Sequence, residues 1–137
     1  MNKIISVGCA VLIAALFSCN SSSRFITNDK SWLFLGERKV SHLKESDVIQ
    51  VKSREKFTAL RLYVSERPIE IKYVEVTLIN GDVLRPVIEN TIPAGEQSRM
   101  IELGAEGRQL DHITLRYRAS GKIFSKKAVI QVGGKPL

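Results

Sequence analysis

Cysteine is scarce in this chain: there are two, Cys9 and Cys19. A multi-disulfide framework and a thiolate zinc cluster are therefore excluded. Histidine is equally scarce, with His42 and His112 standing far apart, so no paired metal-ligand spacing exists. There is no Gly-x-Ser-x-Gly elbow and no glycine-rich phosphate loop, which removes the usual marks of serine hydrolases and nucleotide binders. Asp111-His112 and Ser98 can be drawn as a triad on paper, but nothing in their spacing joins them, and no catalytic residue is expected. Nucleic-acid recognition motifs are missing too, so no nucleic-acid partner is expected. Neither a metal nor a cofactor is called for. No apolar run reaches the roughly 18 residues that a spanning helix requires. Beyond the first residues no stretch keeps a helical apolar stripe.

What is present begins with an address. Lys3 gives a short positive start, and Ile4 to Phe17 follow as a predominantly apolar run of 14 residues. At ~1.5 Å per residue such a helix covers about 21 Å, short of the ~30 Å hydrocarbon core. That length, with a basic start, reads as a signal-peptide core. The run ends in Leu16-Phe17-Ser18-Cys19, followed by Asn20-Ser21-Ser22-Ser23. This resembles a bacterial lipobox, in which Cys19 becomes the first residue after cleavage. The resemblance implies a diacylglycerol thioether on Cys19 and an acyl group on its new amine. Two or more chains on one residue anchor a protein stably, where one is marginal. The expected organisation is a lipoprotein signal peptide over 1–18, a flexible tether over 19–30 and a β domain over 31–137. The expected location is the bacterial cell envelope, on the outer or inner membrane and facing the periplasm or the cell surface. The tether's eleven residues after Cys19, Asn20 to Lys30, reach about 17–20 Å when flexible. With Cys9 cleaved away and Cys19 lipidated, no thiol pair remains, and stability must come from a packed core.

The domain behind the tether has about 100 residues, the size of one self-sufficient domain. Apolar residues make up 44% of the chain, and the formal charge is +7. From Trp32 onward the apolar period is two. Leu60, Leu62 and Val64 alternate with Arg61 and Tyr63; Ile69, Ile71 and Tyr73 with Glu70 and Lys72; Val74, Val76 and Leu78 with Glu75 and Thr77. The same holds for Ile113, Leu115 and Tyr117 and for Ala128, Ile130 and Val132. This is the pattern of half-buried strands. Shorter strands are expected at Trp32–Leu35, Lys39–His42 and Asp47–Lys52. The phase changes between Tyr73 and Val74, which predicts a β-bulge. Ser65-Glu66-Arg67-Pro68 reads as a turn pairing Val64 with Ile69 and Leu62 with Ile71, all on one face. Asn80-Gly81-Asp82 reads as a three-residue turn that pairs Leu78 with Leu84. Pro86 marks an edge. Ser120-Gly121-Lys122 reads as the last turn. The expected fold is all-β: an antiparallel β-sandwich of about seven to nine short strands, with a small β-barrel as the alternative, behind a signal helix.

The domain carries an ordered set of short motifs. They are Trp32-Leu33-Phe34-Leu35-Gly36-Glu37-Arg38-Lys39-Val40, Asn80-Gly81, Gly95-Glu96-Gln97-Ser98-Arg99 with Ile101-Glu102-Leu103, and Ile113-Thr114-Leu115-Arg116-Tyr117. In that order they resemble a family of small exported bacterial β-domain proteins of unknown function. The resemblance implies export and a β fold, and supplies no reaction. Glu45-Ser46-Asp47 departs from the two aspartates expected around its middle residue, which disfavours a paired-carboxylate metal site.

The most suggestive surface is basic. In the expected hairpin Arg61 sits opposite Lys72 on the outward side, and like charges so placed are destabilising. Arg116 and Arg118 also point outward. Arg61, Lys72, Arg116 and Arg118 form a candidate patch for an anion or a glycan, with Glu70 and Glu75 able to neutralise it locally. Trp32 is expected to plug one end of the core, and Arg108 to bind loop carbonyls or to pair with Glu106 or Asp111. The functional expectation is a noncatalytic envelope lipoprotein that binds an envelope protein, a glycan or anionic lipid. The alternatives are a small periplasmic enzyme or inhibitor, and a structural subunit of an envelope assembly.

Overall fold

Alternating apolar residues with few glycines or prolines inside the runs favour extended backbone, and among the described residues nine antiparallel strands form from them. The structure, a computed structural model, describes residues 30–40, 45–88, 90–119 and 127–137. The signal-peptide segment, Cys19, nearly all of the tether, His42 and the Ser120-Gly121-Lys122 turn lie outside them. The strands are β1 (Leu33–Lys39), β2 (Ser46–Gln50), β3 (Lys56–Ser65), β4 (Ile69–Leu78), β5 (Val83–Leu84), β6 (Thr91–Ile92), β7 (Ile101–Glu102), β8 (Arg108–Ala119) and β9 (Val129–Pro136). They join in one sheet of order β1-β9-β3-β8-β4-β5, with β2 also on β8. The expected all-β antiparallel architecture is what the chain adopts, with the sheet curled into a half-barrel.

The curl is made at β8 and β3. Lys56 and Phe57 at the start of β3 pair with Gln109 and Arg108 of β8. Beyond them β3 leaves β8 and runs along β9 from Phe57 to Ser65. Farther along β8, the same edge is taken by β2, from Ser46↔Arg116 to Gln50↔His112. One layer is thus β1-β9-β3 and the other β2-β8-β4. Their inward residues merge into one cluster holding Phe57, Leu62, Val74, Ile113, Tyr117 and Ile130. Each such aliphatic side chain stabilises the fold by roughly 1.5–3 kcal/mol on burial. Gly134 allows the closest approach: a Cβ there would lie 2.6 Å from Phe57 Cδ1.

Four local expectations are corrected. β3 and β4 do not form a hairpin: β3 pairs with β9 and β4 with β8. Ser65 to Pro68 instead cross from one layer to the other. Arg67 N–H donates to Ser65 C=O at 2.8 Å around Glu66, whose φ is 71°. An arch keeps Val64, Leu62, Ile69 and Ile71 all inward, just as a hairpin would, so face consistency cannot distinguish the two. Arg61 is therefore not opposite Lys72; its ladder partner is Gly133.

Second, the bulge exists but falls between Ile71 and Tyr73, which leaves Lys72 and Tyr73 outside the core and Val74 inside. Third, Leu33 to Lys39 is one strand on β9 with an irregularity at Leu35, not two short ones. Fourth, the β4–β5 turn has three residues, but they are Ile79-Asn80-Gly81, and Leu84 pairs with Val76. Gly81 N–H donates to Leu78 C=O at 2.9 Å and Leu78 N–H to Asp82 C=O at 2.8 Å. With Gly81 at φ 94°, this is a type I turn closed by a left-handed glycine. Asn80 Oδ1 accepts Asp82 N–H at 3.0 Å and favours that register.

Candidate functional site

The four basic residues expected to form a patch divide between the layers. Lys72, Arg116 and Arg118 share the outer face of β4 and β8, whereas Arg61 lies on β3 in the other layer. Arg61 stacks over Trp32, 4.7 Å from the ring centre. Trp32 is thus half-buried under a guanidinium and does not plug the core, which corrects that expectation. On the β4–β8 face the cations meet carboxylates. Lys72 Nζ lies 2.7 Å from Glu70 Oε1 and Arg116 Nη2 lies 3.5 Å from Glu45 Oε2. Arg85 pairs with Glu75. The Tyr73 ring sits between Arg85 at 5.2 Å and Arg116 at 6.0 Å. The hydrogen bond from Lys72 lowers the Glu70 pKa, aided by the charges of Lys72 and Arg118. This face is a mixed-charge ladder, and exposed pairs of this kind add little to stability.

The triad drawn from the sequence does not assemble. Ser98 is buried against β3: its Oγ accepts Leu62 N–H at 2.9 Å and donates to Arg99 C=O at 2.8 Å. His112 lies on β8 with Nδ1 2.6 Å from Asp111 Oδ2. Ser98 is thus committed to holding its loop on β3. Asp47 accepts a hydrogen bond from Tyr117 OH at 2.6 Å, so Glu45 and Asp47 point to different partners. Among the described residues no three metal-ligating side chains converge. Arg108 Nε reaches Leu103 C=O at 3.4 Å, as expected of a residue binding a loop carbonyl.

The feature that stands apart is where the curl stays open, between β1 and β2. Gly36 makes the approach possible, since a Cβ on it would lie 2.7 Å from Ile49 Cγ2. Ladder alternation fixes which backbone groups face this seam. Val51 N–H donates to Asp111 C=O and Tyr117 N–H to Glu45 C=O, so the odd residues of β2 turn to β8. Ser46, Val48 and Gln50 therefore turn their N–H and C=O away from β8. On β1, Val40 N–H donates to Ala128 C=O, which turns Glu37 and Lys39 outward by the same rule.

Arg38 bridges the two edges. Its Nη1 donates to Glu37 C=O at 2.9 Å and its Nε to Val48 C=O at 3.2 Å. On one side of this clasp the edges diverge into a groove of about 500 Å³. That volume lies within the range of small-ligand sites, ~300–1,000 Å³. Phe34, Leu35 and Ile49 supply an apolar floor, Arg38 and Lys52 supply positive charge, and Gln50 lies on the bank. None of its lining residues is acidic. Two smaller hollows, of about 330 and 370 Å³, each include Glu102. Neither Arg38 nor Lys52 stands out in the sequence, because each sits in an ordinary polar position. The available signal was Gly36 inside a strand pattern, which marks close approach of another segment.

Comparison with curated proteins and with solved structures gave no match. A family model described as a domain of unknown function, DUF2541, matches residues 9–134. With nearly the whole of its length covered by that model, the chain belongs to the DUF2541 family.

Proposed function

We propose that this chain is a lipid-anchored protein of the bacterial cell envelope that binds another envelope component and catalyses no reaction. The observation that carries the reading is Cys19, placed directly after the apolar run and before a serine tract. The family model reaches back to residue 9 and so takes in Cys19 together with the domain. A short tether keeps the domain within about 20 Å of the bilayer. The binding part of the reading draws on the seam groove, whose two cations have no carboxylate beside them in its lining. The outer β4–β8 face is the weaker candidate, since Glu45 and Glu70 already engage Arg116 and Lys72.

Replacement of the anchoring residue tests the reading. The wild-type chain should stay with membranes through a high-salt wash, and Cys19→Ser should appear in the soluble envelope fraction. Equal membrane retention of both would count against it.

A further inference from the structure

We propose that the β1–β2 seam receives an extended acidic segment of a partner protein by strand addition. The inference rests on the binding-module reading above and names the partner's chemistry. Three features of the seam point the same way. The groove lies between two strand edges, not on a sheet face. Gln50 on its bank turns both N–H and C=O away from the β2–β8 ladder, and beside the groove Val48 and Glu37 turn N–H groups the same way, their carbonyls being held by Arg38. Its charge is of one sign, from Arg38 and Lys52, with no acid among the lining residues.

These features discriminate between occupants. An acyl chain would suit Phe34, Leu35 and Ile49, but it would strip water from edge N–H and C=O groups and give no hydrogen bond in return. An extended peptide brings its own N–H and C=O groups and satisfies them. Side chains alternate along such a strand, so one set meets the apolar floor while the other meets solvent and the rim. Carboxylates on the rim side would meet Lys52 and the part of the Arg38 guanidinium not engaged by carbonyls. The clasp still leaves room: Arg38 spends Nη1 and Nε on Glu37 and Val48, and among the described residues Nη2 has no hydrogen-bond partner. Val48 and Phe34, at 40% and 38% exposed, leave apolar surface beside the edge that such a strand would cover. The exposed β2 edge is short, five residues, so the added strand would also be short.

The test uses the full chain in lipid nanodiscs and two capped peptides, one alternating valine with glutamate and the other valine with lysine. Binding is read as slowed amide hydrogen exchange at Val48 and Gln50 and as a dissociation constant. The glutamate peptide should protect both amides, and the lysine peptide should not. Lys52→Glu should weaken the glutamate peptide by roughly tenfold or more and improve the lysine peptide. Gln50→Pro removes the edge donor without changing charge and should abolish protection of the Val48 amide, with far-UV circular dichroism confirming the fold. Absence of protection by the glutamate peptide would overturn the proposal. So would equal binding of both peptides, or groove occupation by a fatty acid seen at Phe34 and Ile49 without amide protection. None of these outcomes bears on where the Cys19→Ser variant fractionates, so failure here and failure of the anchored-protein reading remain separate results.

Discussion

Gly36 sets the spacing of the seam, and replacing it with alanine measures how tightly the two edges meet. Its φ is not in the left-handed region, so the backbone itself accepts a side chain. Without a clash, Gly36→Ala would stabilise the strand by roughly 0.5–1 kcal/mol through lost glycine freedom. The new Cβ would lie 2.7 Å from Ile49 Cγ2, and Ile49 is buried at 1% exposure. A branched methyl in a filled core has little room to move, and such overpacking costs ~1–3 kcal/mol. The balance is a net loss of about 1–2 kcal/mol, which lowers the melting temperature by several degrees in a domain of this size. Urea unfolding followed by far-UV circular dichroism reads it. Ile49→Leu removes Cγ2, so in that background Gly36→Ala should cost less, with a coupling of about 1 kcal/mol. A stabilising Gly36→Ala, or costs that simply add, would refute the account of the seam.

Tyr117→Phe should destabilise the domain by about 1–2 kcal/mol, since it removes a hydrogen bond to a carboxylate from a buried ring. Tyr117 is 1% exposed and its hydroxyl donates to Asp47 at 2.6 Å. Urea midpoints of the two proteins check this. Glu70 should titrate below the ordinary glutamate range, because Lys72 and Arg118 favour its charged form. A group with a depressed folded pKa contributes stability above its unfolded pKa and loses it as pH falls through the folded one. Lys72→Met should therefore raise the Glu70 midpoint toward the ordinary value, as read by carboxyl NMR.

Alternation made the inward residues legible: Leu60, Leu62, Val64, Ile69, Ile71, Ile113, Leu115, Tyr117, Ile130 and Val132 are all buried. It did not make their neighbours legible, because a period of two assigns a face and not a partner. Hence the strand pair on either side of Ser65–Pro68 looked like a hairpin and is an arch. Tyr73 was misplaced by one position for a related reason, since a bulge can be absorbed on either side of a phase change. β5, β6 and β7 have two residues each, too short to leave a periodic trace. Gln131, which alternates with the inward Ile130 and Val132, is fully buried as well, its Nε2 donating to Glu37 Oε2 at 3.1 Å. The groove was invisible for a geometric reason. Arg38 lies on β1 and Lys52 just beyond the end of β2, and only the curl of the sheet brings those two edges together.

We propose that this domain works on a lipid anchor at a membrane, and intact-mass measurement of the membrane-extracted protein is the decisive test. The species expected begins at Cys19 and is heavier than that sequence by a diacylglyceryl and an acyl group. A chain that retains Met1, or one with an unmodified Cys19, would contradict it.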